Sequence, residues 1–68
     1  MMISKWIEFS VEAESISEFK AALAVLERAS KEEKGCVYYS AFQSADEAIL
    51  FTVLEKWATK EDFENHRI

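Results

Sequence analysis

Two consecutive extended runs, Cys36 to Gln43 and Ala48 to Trp57, carry apolar side chains on both of their faces. In the first, Val37, Tyr39 and Ala41 alternate with Cys36, Tyr38 and Phe42. In the second, Ile49, Phe51, Val53 and Trp57 share one side, while Leu50 and Leu54 share the other. An antiparallel sheet with one wet face alternates cleanly between apolar and polar residues, and these runs do not. The polar stretch Ser44 to Glu47 between them predicts a short turn, and so an antiparallel hairpin. Both faces of that hairpin need a cover, and a chain of 68 residues has little to cover them with.

The flanking segments supply one cover. Met2 to Val11 alternates, with Ile3, Ile7, Phe9 and Val11 on one side and Ser4, Trp6, Glu8 and Ser10 on the other, the period of a strand. Ser15 with Glu18 three residues later has the spacing of a capping box. Behind it Ile16, Phe19, Leu23, Leu26 and Ser30, with Ala22 and Ala29, form a stripe at helical spacing. Glu27 and Lys31 sit four apart in the favourable order. Gly35, the only glycine, stands where the pattern stops and predicts a left-handed residue just past the helix end. Thr59 and Asp62 repeat the capping spacing ahead of a second helix, with Phe63 its first inward residue.

Strand, helix, strand, strand, helix, uninterrupted by a linker or repeat, predicts one α+β domain over residues 1–68, of the ferredoxin-like kind. Its antiparallel sheet carries helices on one face. The other face is predicted to close against a second copy of the chain. Size points the same way, because a chain this short buries only about 60% of its unfolded surface and small chains usually need a disulfide, a metal or a partner. Cys36 has no cysteine partner, and one Cys with one His, without a CxxC or HxxxH pair, makes no structural zinc site.

Charge and hydropathy exclude other classes. The net charge is −5, and the eight Lys and Arg form no dense patch of the sort a phosphate backbone needs, so nucleic acid is not an expected partner. No apolar run reaches the length of a membrane span, and Met1 to Ser10 lacks the plan of a signal peptide. With a single free thiol, a cytoplasmic setting is expected.

The run Glu33, Gly35, Cys36 and Tyr39, then Ser44 and Asp46, then Phe51, Glu55 and Trp57, ending in Phe63 and His66, resembles the antibiotic biosynthesis monooxygenase family of dimeric α+β barrel proteins. The similarity spans nearly the whole chain, and the Glu-x-Gly-Cys and Glu-x-Trp pieces fall on the elements where that family has them. The resemblance implies a homodimer joined through the sheet face and a cavity between sheet and helices. It also implies a function among monooxygenases that oxidise quinols or other electron-rich aromatics without a cofactor. Two other outcomes are compatible with the same fold: a non-catalytic dimeric ligand-binding or assembly module, and a haem-degrading enzyme. The chain departs from the family in ending at Ile68, where members continue to more helix and a fourth strand, so a C-terminally short form is expected. Trp6 stands where haem-degrading members have an Asn, and Val53 where some quinol-type members have one.

Several residues are candidates for a site. Histidine ordinarily titrates near neutrality, and His66, the only one, is the candidate catalytic base for a phenolic proton; otherwise it is a surface or capping residue. Trp57, Trp6, Tyr39 and Phe51 are the candidate substrate-binding aromatics, with core packing as the alternative. Glu55 shares an apolar face with Val53 and Trp57, where a carboxylate needs a partner: a cavity proton acceptor or half of an ion pair across the dimer. Cys36 has the position of a small buried thiol.

Overall fold

The computed structural model describes residues 2–66. Strand β1 (Ile3–Ser10) leads through a 3₁₀ turn (Ala13–Ser15) into helix α1 (Ile16–Lys31). Strands β2 (Cys36–Gln43) and β3 (Leu50–Trp57) and the short helix α2 (Lys60–His66) follow. The sheet has the order β1-β3-β2, with both pairings antiparallel. β3 is therefore central, and the first and second strands are its two edges.

Register sorts the side chains. Ile3, Lys5, Ile7 and Phe9 pair with Trp57, Glu55, Val53 and Phe51, while Tyr39 and Ala41 pair with Glu55 and Val53. These make the helix-side face, and Leu23, Tyr39, Phe51, Val53 and Trp57 are its buried core, with Ile16, Phe19 and Phe63 packed from the helices. The Phe19 ring sits 5.4 Å from Phe9 and 4.9 Å edge-on to Phe51, a favourable aromatic geometry. The opposite face carries Trp6, Tyr38, Phe42 and Leu50, all exposed, around the half-buried Thr52 and Leu54. The helices cover one face only, as the two-sided hairpin implied.

Five local expectations need correction. Ser15 makes no side-chain cap bond. Its backbone (φ −103, ψ 1) belongs to the 3₁₀ turn, not to the extended geometry that lets a hydroxyl reach the first helical N–H groups. α1 ends at Lys31, about one turn before Gly35 and not directly ahead of it, and Glu33 N–H closes onto the Ser30 carbonyl. Gly35 is left-handed (φ +83), but as the third residue of the turn in which Cys36 N–H returns to the Glu33 carbonyl. The hairpin loop runs over residues 44–49, tied by the Asp46 and Glu47 N–H groups to Ser44 Oγ. Finally, an irregularity between Cys36 and Tyr38 sets Cys36 opposite Trp57. Cys36 therefore lies on the helix side, not with Tyr38 and Phe42.

Other expectations hold. Lys31 pairs with Glu27 at 3.5 Å. Thr59 Oγ1 accepts from the Asp62 N–H at 3.1 Å and donates to the Asp62 carboxylate at 3.0 Å, capping α2. Among the described residues no helix is long and apolar enough to cross a membrane.

Candidate functional site

Between the helix-side face of the sheet and the two helices lies a cavity of about 250 Å³. Its walls are apolar, from Ile7, Phe9, Leu26, Val53 and Phe63, and its polar groups are Lys5, Tyr39, Glu55 and His66. Strand alternation places the first three polar groups together, because Lys5 and Tyr39 both pair with Glu55 from opposite sides. The Thr59 cap starts α2 at the angle that swings His66, seven residues later, over the end of the sheet.

His66 is held on three sides. Its ring lies 4.5 Å from the Trp57 ring and 5.8 Å edge-on to Tyr39. Its Nδ1 is 2.9 Å from Glu33 Oε2, in the turn after α1. An ionised carboxylate only accepts hydrogen bonds, so Nδ1 carries the proton and, in the neutral ring, Nε2 is left with the lone pair. The arrangement fixes both ring orientation and tautomer, as a general base requires.

Beneath it, Trp57 Nε1–H donates to Glu55 Oε1 at 2.7 Å. Glu55 is 3% exposed and Trp57 0%, so the bond supplies a partner where a bare carboxylate would be costly. Tyr39, 3% exposed, has its phenol pushed above the ordinary value, first by burial and then by the Glu55 charge. Ser30 Oγ approaches this phenol and acts in the opposite direction, but it falls short of hydrogen-bond geometry and stays unpaired. A raised phenol binds its proton more firmly folded than unfolded, so stability should be full below about pH 10 and fall as pH rises through the folded value. Urea midpoints measured from pH 8 to 11 should show this decline, and Tyr39→Phe should flatten it. Burial also pushes the Cys36 thiol up, so the decline should start on its account before the phenol contributes.

The sequence-predicted residues divide. His66 and Tyr39 meet at the cavity. Trp57 lies behind His66 and, fully buried, cannot touch a ligand. Phe51 packs under Phe19 and lines a separate groove with Leu23 and Lys20. Trp6 is 67% exposed on the opposite face, because its neighbours Lys5 and Ile7 take the inner positions. These three aromatics are corrected from ligand contacts to support, core and open face. Lys5, Glu33 and Phe63 were missed. Alternation alone puts Lys5 between Ile3 and Ile7 on the inner side, whereas Glu33 reaches His66 across 33 positions and leaves no local signal. Among the described residues no three His, Cys, Asp or Glu side chains cluster to hold a metal ion.

The sequence model of the antibiotic biosynthesis monooxygenase family matches residues 2–67. No curated protein matches the chain. Among solved structures, a candidate antibiotic biosynthesis monooxygenase from Nitrosomonas europaea is similar at 27% identity and TM-score 0.92, over 97% of this chain and 64% of its own. A protein from Shewanella oneidensis is 29% identical with TM-score 0.89, over 96% of this chain and 63% of its own. A conserved protein of unknown function from Bacteroides thetaiotaomicron is 26% identical with TM-score 0.91, over 96% and 69%. The chain thus spans just under two thirds of the length of the first two.

Proposed function

The chain belongs to the antibiotic biosynthesis monooxygenase family, and from that premise we propose that it oxidises a small electron-rich aromatic of the quinol kind with dioxygen, as one domain over residues 1–68. The observation that carries this reading is His66 on the wall of an apolar cavity, with its Nδ1 held by Glu33. His66 Nε2 takes the phenolic proton, and the resulting quinolate gives up electrons to dioxygen far more readily than the neutral quinol. The reaction balances as quinol plus O₂ giving a hydroxylated quinone plus water: all four electrons come from the ring, one oxygen atom enters it, and the other leaves as water. The protein's share is to bind, orient, deprotonate and exclude water. Trp57 keeps the imidazole from turning, and Glu33 keeps Nδ1 protonated. A volume of about 250 Å³, just under the usual range for small-molecule sites, suits one or two fused rings and not a haem.

Oxygen uptake with a panel of one- and two-ring quinols, autoxidation subtracted, tests the proposal. His66→Ala should lower turnover by about 10²–10⁴-fold. Uptake that is unchanged in His66→Ala removes the base, and no uptake with any quinol transfers the reading to a non-catalytic binding module.

The same proposal makes the protein a cytoplasmic homodimer. Its support is the open sheet face, where Trp6, Tyr38, Phe42 and Leu50 stand exposed together. Sedimentation at micromolar concentration should show a dimer; a compact, folded monomer would refute it.

A further inference from the structure

Of the polar groups that line the cavity, the phenol and the carboxylate are buried and the base is half-buried, whereas Lys5, though paired in register with Glu55, is exposed. It occupies an inner position of β1 but is exposed, and its Nζ lies 5.2 Å over the Phe63 ring. Its strand neighbour across the register is Glu55, yet Glu55 Oε1 is taken by the Trp57 indole. Among the described residues Lys5 makes no ion pair, and it is the one lysine or arginine among those that line the cavity, in a chain whose net charge is −5. An ammonium kept at the mouth of an apolar cavity by an aromatic face is a binding group for an anion.

We propose that Lys5 selects ring substrates that carry a carboxylate, so that the natural substrate is a hydroxy-aromatic acid and not a neutral quinol. This rests on the function proposed above and adds the substrate class. The electrostatics set the orientation. Glu55, buried in the wall, repels an anion, and its exposed register neighbour Lys5 attracts it. The acid group therefore stays outermost and the ring hydroxyl is directed inward, toward His66 and Tyr39. A neutral quinol has no such preference between its two ends.

The test is equilibrium binding under argon, where no turnover occurs. Tryptophan fluorescence or calorimetry would compare 1,4-dihydroxy-2-naphthoate with 1,4-dihydroxynaphthalene, two ligands with the same rings that differ in the carboxylate. The acid is expected to bind about tenfold or more tightly, the scale of one hydrogen bond to a charged group. Its affinity should fall with added salt. Lys5→Gln and Lys5→Met should each abolish the difference in affinity between the acid and the neutral quinol. Equal affinities in the wild type, or a preference that survives both substitutions, would overturn the role of Lys5. Because binding is read without oxygen, a protein that prefers the acid but never consumes oxygen counts against the oxidation and not against Lys5.

Discussion

Trp57→Ala should leave a chain that does not fold at room temperature. The indole is fully buried at the end of the central strand, against Ile3 and Cys36 on either side and the His66 ring above. Truncating a buried Trp costs about 3–5 kcal/mol. The same change removes the donor from Glu55 Oε1, and a buried acceptor left unpaired costs about 1–3 kcal/mol more. A domain of this size has roughly 3–10 kcal/mol in total, at the usual stability per residue. Far-UV circular dichroism and urea titration would read the outcome. Trp57→Phe separates the two contributions, since it refills most of the volume but cannot donate, and its loss should be intermediate. A cooperative transition near the wild-type midpoint in Trp57→Ala would show that the indole is not central to the fold.

Gly35→Ala should damage fold and site together. A residue with a side chain at φ +83 costs roughly 1–2 kcal/mol. The added Cβ would also overlap the Asp62 carboxyl and Cβ, so α2 must shift. Asp62 is bound to the Thr59 hydroxyl that caps α2, and α2 ends on His66. The shift should therefore pull the imidazole away from Glu33, which lies in the same turn as Gly35. Denaturant titration reports the stability loss, and imidazole NMR signals report the broken hydrogen bond. A loss within about 0.5 kcal/mol, the range of an ordinary surface substitution, would mean that turn and helix yield freely.

This coupling also shows where sequence patterning stops being informative. The strand faces were legible from period two, which sorted Trp6 from Ile7 and Phe51 from Leu50 correctly. The left-handed glycine was legible as well, because only glycine takes that φ without strain. The role of Gly35 was not, since the helix stops one turn short of it and the close approach of Asp62 comes from the far end of the chain. The candidate site was half legible for a related reason. Local pattern shows which side a residue faces but not what stands between it and the cavity. Trp57 has the inward phase of a ligand contact and is sealed by His66. Glu33 has the phase of a solvated turn and meets His66 because two chain segments converge.

Strand order sets a hazard as well as a site. β2 is an outer strand, and its eight residues, CVYYSAFQ, contain no charge, no proline and no glycine. The other edge, β1, is interrupted by Lys5 and Glu8, side chains of the kind that discourage edge-to-edge pairing. β2 has no such guard. A neutral segment rich in aromatic residues, once freed from its neighbours, is a template for ordered cross-β stacking with copies of itself. The working life of this protein in a concentrated solution is thus governed by how rarely that edge comes loose, a kinetic quantity distinct from its folding free energy.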